Sequence, residues 1–332
     1  MFVDKQLGRS QSPLSNRQLQ QHLQSFCLGD LIDTRYLEYN VLSTLYELNT
    51  TRGRFLVRIL QNHSTYALLF EEAFLDHLAL RDLRVPRLID SGDSGSTISI
   101  TSRQQLSVFH PMLGRRLGIF EVQPEHCSQA GEFLASIHLA GRGFRRRRRC
   151  LFEPHRIATI LEKCVSQVTS SAQVRALKIM ALELIRHHFP KSLPRGIIHG
   201  GLFVSQAYFV RGNLSGVQGF ESASCGPLVF DIALALSDWA FLLDQFVPDR
   251  AHAFLAGYQS KRPLLPIERG QLYELTRYAT THLGATCFRD FEAVSHHKSH
   301  GLYRDYQHFL TRLLVLRSLG PQTFRDVVFG HR

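Results

Sequence analysis

The side chains able to do chemistry gather between Ile197 and Trp239. The chain there reads Ile197-Ile198-His199-Gly200-Gly201-Leu202-Phe203-Val204-Ser205-Gln206-Ala207-Tyr208-Phe209, then Leu214-Ser215-Gly216-Val217-Gln218-Gly219-Phe220-Glu221, then Gly226-Pro227-Leu228-Val229-Phe230-Asp231-Ile232-Ala233-Leu234-Ala235-Leu236-Ser237-Asp238-Trp239. His199 is a candidate base, and Glu221 is a carboxylate that could grip a cation. Upstream, Arg58 could hold a phosphate with both arms of its guanidinium. Glu71 and Glu72 are the carboxylates within reach to pair with it, and otherwise lie on an exposed helix face.

These three stretches, in this order and at this spacing, resemble the homoserine kinase branch of the aminoglycoside and choline phosphotransferase families. In that family the first reads His-Gly/Ala-Asp-Leu-Phe-x-x-Asn, where the Asp accepts the substrate hydroxyl proton and the Asn holds magnesium. Here those positions are Gly201 and Gln206. The second reads Gly-x-Ile-Asp-Phe, its Asp gripping the metal ions that neutralise the transferring phosphate; here it is Gly219. The third has no direct chemistry in the family and is kept as Gly226, Pro227, Asp231, Ala233, Asp238 and Trp239. The resemblance implies that Asp231 supports the catalytic loop from below and that His199 packs and bonds the loop backbone.

A missing general base removes ~10²–10⁴ in rate, and missing metal ligands remove most of the charge neutralisation that phosphoryl transfer depends on. The expectation is therefore a pseudokinase that binds a protein partner or small ligand and needs no cofactor. The rival is an active, ATP- and magnesium-dependent kinase of homoserine or another small alcohol, with Glu221 as a displaced metal ligand and Asp238 also recruited. Glu221 lies two residues beyond Gly219 and shares its face if the segment stays extended; otherwise it faces solvent or bridges the lobes. The partial echo Glu38, Tyr39 and Asn40 is what remains of the family's Gly-x-Glu-Asn-x-Asn nucleotide run.

Arg142 and the run Arg145-Arg146-Arg147-Arg148-Arg149 form a basic loop, either solvated and mobile or an electrostatic contact with the phosphates of nucleic acid or with a protein partner, which makes a basic nucleic-acid-binding adaptor the third reading of the chain. No aromatic residues interleave it, which disfavours sequence-specific nucleic-acid reading. His296, His297 and His300 cluster without an acid or cysteine to complete a metal site.

The whole chain of 332 residues carries a net charge of +11, which favours anionic partners without choosing among them. Hydrophobic content of 44% is ordinary for a packed protein. No uninterrupted apolar run reaches membrane-spanning length, since the best candidate, Gly226 to Leu243, contains Asp231 and Asp238. The first residues lack a secretory pattern, and the six cysteines form no C-x-x-C pair, so reduced thiols, a cytoplasmic location and no membrane insertion are expected.

The elements needed to position these groups follow from periodicity. Ser15 caps a helix over 15–28; Val41–Tyr46 and Phe55–Leu60 read as a hairpin around Asn49–Gly53; Tyr66–Leu83 reads as a helix. Ile98–Ile100 and Leu106–Phe109 read as two more strands. Pro124 opens a helix to Ala140, 156–189 is helical with a break near Thr169-Ser170-Ser171, and 241–330 is mostly helical. This is an α+β chain, and the resemblance implies a two-lobed, protein-kinase-like fold: a small β-rich lobe over 1–109 and a large, mainly helical lobe over 110–332. Gly257-Tyr258-Gln259-Ser260-Lys261-Arg262-Pro263-Leu264 matches a further family segment. In another, over 281–291, two family arginines have become His282 and Cys287.

Overall fold

Ser15 starts the first helix, α1 (Asn16–Leu23), by a reciprocal cap: its hydroxyl accepts from the Gln18 amide while the Gln18 side chain accepts from the Ser15 amide. The computed structural model in which this is seen describes residues 14–39, 43–61, 63–92, 95–165, 170–185, 188–289 and 306–330. The helix ends earlier than its apolar spacing predicts. A 3₁₀ turn follows at Gln24–Phe26, and Cys27 takes a left-handed conformation that stops it.

Next come β1 (Leu31–Tyr39), β2 (Ser43–Thr50), β3 (Gly53–Gln61), the helix α2 (Thr65–Ala79), β4 (Thr97–Thr101) and β5 (Gln104–Phe109). The strands make one antiparallel sheet in the order β1-β2-β3-β5-β4. Strand alternation sorts β3 into two sets. Phe55, Val57 and Ile59 pack with Leu19, Leu23 and Phe26 under α1. Leu56 and Arg58 face the opposite way, toward the helical lobe. β1 was not legible from the sequence, because Ile32 and Tyr36 are exposed and its apolar alternation is weak. The expected hairpin is present, with Val41 and Leu42 outside the described residues.

The linker His110–Gly114 leads into β6 (Arg115–Arg116), then α3 (Pro124–Ala140), α4 (Pro154–Val165), α5 (Ser171–Ile185), β7 (Arg195–Ile198), β8 (Ala207–Val210), β9 (Asn213–Val217), β10 (Ser224–Pro227), α6 (Leu228–Trp239), α7 (Pro248–Lys261), α8 (Pro266–Cys287) and α9 (Tyr306–Phe329). α6 is apolar on nearly every side, and all of its residues are buried. α3 and α7 cross at two glycines: a Cβ on Gly131 would lie 2.0 Å from the Phe254 carbonyl oxygen, and one on Gly257 would lie 2.0 Å from that of Ser128. The glycine of the Gly257-Tyr258 segment therefore sets how close the helices come. Among the described residues no helix is long and apolar enough to cross a membrane.

Candidate active-site cleft

One buried helix holds the loop from His199 to Gln206. Asp231, in the first turn of α6, accepts the amide of His199 on Oδ2 at 2.6 Å and that of Gly200 on Oδ1 at 2.8 Å. A carboxylate is favoured there by the positive end of the helix dipole. Two turns on, Asp238 accepts the Val204 amide at 2.8 Å, and Trp239 donates its indole N–H to the Leu202 carbonyl at 2.9 Å. Asp238 is fully buried, with its second oxygen 3.8 Å from Arg312. Burial raises its pKa despite that arginine. It faces the loop backbone and is closed off from any role in the cleft.

His199 is also sealed. Its ring packs on Phe220 with centroids 4.4 Å apart, and Nε2 lies 3.1 Å from the Gln218 carbonyl oxygen. Burial lowers its pKa to about 4, so the ring is neutral, and Nδ1 has no hydrogen-bond partner. The imidazole points into the fold and not at a substrate.

The positions that would carry catalysis are glycines at positive φ. Gly201 sits at φ +155°, and a Cβ there would meet the Phe203 ring at 3.1 Å. Gly200, at φ +78°, has the Ser222 carbonyl oxygen and the Phe152 ring where a Cβ would go, at 2.6 and 2.9 Å. Gly219 is left-handed at φ +92°, and its Cβ would lie 2.8 Å from the Gln206 carboxamide. Gln206 thus covers the space a residue at 219 would use. His282, in the drifted segment of α8, is buried against Phe152, with ring centroids 5.0 Å apart.

Arg58 is the centre of charge in the cleft. Its guanidinium makes a two-armed pair with Glu71 on α2, at 2.8 and 2.9 Å, and reaches Glu221 in the other lobe at 3.2 Å. It also lies over the Phe109 ring, 4.9 Å from the centroid. Burial works to lower its pKa, but the two carboxylates outweigh that and leave it raised. Glu71 is buried rather than exposed on a helix face. Glu72 is not part of this group: one residue further round the helix, it accepts from the Ser96 hydroxyl.

Glu221 takes the second of its two readings, the bridge between the lobes. Phe220–Ser222 is a 3₁₀ turn, so alternation does not put Glu221 on the face of Gly219, and its carboxylate bridges to Arg58. The arginine run is corrected. Arg148 is half-buried and donates to the carbonyls of Glu221 and Ala223 at 2.6 and 3.1 Å; Arg146 donates to the Leu69 carbonyl on α2, and the Arg147 carbonyl accepts from Tyr66. Arg145, Arg146, Arg147 and Arg149 keep exposed side chains, but the segment is strapped to α2 and to the Glu221 turn. Arg148 was the signal missed, since nothing in a uniform run marks the one member that turns inward.

The donor set does not suit magnesium, which wants near-octahedral oxygens with one or two carboxylates. Gly219 offers none, Gln206 is neutral, and Glu221 is engaged by Arg58. Among the described residues no group of three or more His, Cys, Asp or Glu could hold a metal ion. His296, His297 and His300 lie outside the described residues, as does Asn40; Glu38 and Tyr39 are described only as backbone of β1. The cavity bounded by Arg58, Glu71, Gln206, Gly219 and Glu221 measures about 50 Å³. Small-molecule sites usually run to roughly 300 Å³ or more.

The sequence profile of the phosphotransferase enzyme family matches residues 37–264. The chain belongs to that family. Within it, a homoserine kinase of Afipia carboxidovorans is 31% identical over 265 residues, covering 79% of this chain and 80% of the relative. A homoserine kinase of Methylobacillus flagellatus is 30% identical over 253 residues, covering 76% and 77%. These relatives put the chain on the homoserine-kinase side of the aminoglycoside and choline phosphotransferases. Among solved structures, the fold is similar to that of amicoumacin kinase hAmiN in complex with AMP-PNP, Ca2+ and Ami, with a TM-score of 0.68 at 13% identity over 91% of this chain and 94% of that one. The two-lobed, kinase-like α+β fold is thereby established, and with it a phosphotransferase-like ancestry for the cleft. Tyr258, in the family segment over 257–264, also acquires a role: with His138 it lies in a buried network behind Asp231.

Proposed function

We propose that this member of the homoserine-kinase branch no longer transfers phosphate and acts by binding a protein partner or a small ligand. The observation that carries the reading is the state of Gly201 and Gly219. Both are glycines at positive φ, so neither position offers a carboxylate to act as base or metal ligand, and the Phe203 ring and the Gln206 carboxamide stand 3.1 and 2.8 Å from where a Cβ would be. The remaining carboxylate, Glu221, is committed to Arg58 across the lobes. No ATP or magnesium dependence is expected. The net charge of +11 favours an anionic ligand, and six cysteines without paired spacing suit the cytoplasm.

The test is a thermal-shift titration of the purified protein with ATP and magnesium, separately and together, with and without homoserine, alongside a measurement of ADP release. A ligand that prefers the native state raises Tm with concentration. The expected result is no magnesium-dependent rise and no ADP. ADP release that disappears in Glu221→Ala would overturn the reading in favour of an active kinase of homoserine or another small alcohol.

A further inference from the structure

Outside the cleft, the segment from Gly143 to Arg147 runs along α2 from its last turn to its first. A Cβ on Gly143 would lie 3.3 Å from the Arg81 guanidinium, just past the end of the helix. The Phe144 ring then packs on Phe70, Phe74 and His77, with centroids 5.5, 5.0 and 5.2 Å away. Arg146 donates to the Leu69 carbonyl at 2.9 Å, and the Arg147 carbonyl accepts from the Tyr66 hydroxyl in the first turn. Arg148 turns inward to the carbonyls of Glu221 and Ala223, and its own carbonyl accepts from the Cys225 amide at 2.8 Å. Phe144 and Cys150 are buried at the two ends of the run. The α2 helix that it follows spans roughly 20 Å at ~1.5 Å per residue.

This anchoring leaves a line of guanidiniums on the surface. Arg81, Arg142, Arg145, Arg146, Arg147 and Arg149 are exposed, and among the described residues none of them pairs with a carboxylate. The carboxylates of this region are spent elsewhere: Glu71 and Glu221 on Arg58, and Glu72 on Ser96. Asp76 is exposed on the same face of α2 as Leu69, two turns on, and pairs with none of the arginines. The aromatic residue absent from the run itself is supplied by α2, where Tyr66 is 58% exposed beside Arg147.

We propose that this ridge binds single-stranded nucleic acid, with phosphates along the arginines and a base stacked on Tyr66. A line of unpaired cations suits a linear polyanion better than a compact one. Each guanidinium can take phosphate oxygens with two parallel hydrogen bonds, and an exposed aromatic face accepts any base, so the binding is independent of sequence. An acidic peptide would satisfy the arginines and leave Tyr66 unused. Because the backbone of the run is already fastened to α2 and to the Glu221 turn, less freedom is lost on binding than in a mobile loop. The surface lies outside the cleft, and the assignment does not depend on whether phosphate is transferred there.

The experiment is fluorescence anisotropy of the full chain with a labelled oligothymidylate of about 12 nucleotides, and with labelled polyglutamate of matched charge. The oligonucleotide is expected to bind more tightly, with a slope of log K against log salt near −3, about −0.7 for each of four neutralised phosphates. Arg145 and Arg149 make no hydrogen bond to the protein among the described residues, so Arg145→Gln/Arg149→Gln should leave Tm unchanged and flatten that slope by about 1.4. Tyr66→Leu should weaken oligonucleotide binding about tenfold, while Tyr66→Phe, which keeps the ring, holds it near wild type. Arg17→Gln, an exposed charge on α1, should change nothing. Three results overturn the proposal: no oligonucleotide binding at low salt, an equal loss in Arg17→Gln and the double variant, or polyglutamate bound as tightly as the oligonucleotide with Tyr66→Leu silent, which would make the ridge a contact for an acidic protein.

Discussion

The Nδ1 atom of His138 lies 2.7 Å from the Tyr258 hydroxyl, and the contact joins α3 to α7 directly behind the catalytic loop. Its other ring nitrogen is 3.0 Å from Asp231, which must accept, so Nε2 carries the proton and Nδ1 accepts from the phenol. Arg262 in turn donates to the Tyr258 oxygen at 3.1 Å and pairs with buried Glu268. The bonds all run one way, from Arg262 through Tyr258 and His138 to the carboxylate that holds His199 and Gly200. Tyr258→Phe leaves His138 Nδ1 without its donor and should cost ~1–3 kcal/mol in urea unfolding. The amides of His199 and Gly200 should exchange faster as well. Unchanged stability and exchange would mean that the tyrosine oxygen does not organise this network.

Restoring the family aspartate at position 219 should damage the protein before it repairs anything. The left-handed φ of +92° costs a non-glycine residue on the order of 1–3 kcal/mol, and the new Cβ would press on the Gln206 carboxamide. Gln206→Asn withdraws that carboxamide by one methylene. The double variant Gly219→Asp/Gln206→Asn should therefore be more stable than the sum of the single variants, by ~0.5–1 kcal/mol in a double-mutant cycle. Additivity would show that Gln206 is not what fills the site.

Arg58 can be removed only with its partners. Arg58→Met leaves Glu71 buried and unpaired, and breaking a buried pair from one side costs ~3–5 kcal/mol. Arg58→Met/Glu71→Met takes both charges out and should recover most of that loss, with guanidinium chloride midpoints as the readout. If the single variant matched wild type, the Arg58–Glu71 pair would not be holding α2 to the sheet.

Much of this scaffold was legible because it depends on residue types that leave strong marks in sequence. Alternation in β3, the cap at Ser15, and the order of Asp231, Asp238 and Trp239 on an apolar helix all constrain local geometry. The carboxylate pairing of Arg58 was legible only as a choice between Glu71 and Glu72, since the phase of α2 against the sheet decides it. For Glu221 spacing left two readings open, a face shared with Gly219 or a bridge between the lobes, and the left-handed turn at Gly219 decides between them by breaking the extended backbone that the first requires. The inward turn of Arg148 and the filling of the catalytic positions by Phe203 and Gln206 arise from packing across segments distant in sequence, which spacing does not encode.

His282 should give the protein a measurable acid sensitivity. Burial, with the positive charge of Arg289 adding to it, lowers the folded-state pKa to about 3. In the unfolded chain an imidazole titrates near ~6.5. As pH falls below the unfolded value, the unfolded state takes up a proton that the folded state refuses until about pH 3. The contribution is fully present above the unfolded value and is lost progressively below it, by up to ~1.4 kcal/mol per pH unit for one group. His199 acts with the same sign down to about pH 4. Comparing urea unfolding at pH 7 and pH 5 separates the two, because His282→Leu removes only one. Wild type should lose ~1–2 kcal/mol more than His282→Leu over that interval. Equal losses would mean that His282 takes up its proton in the folded state as readily as in the unfolded one, and that the packing around Phe152 admits an imidazolium.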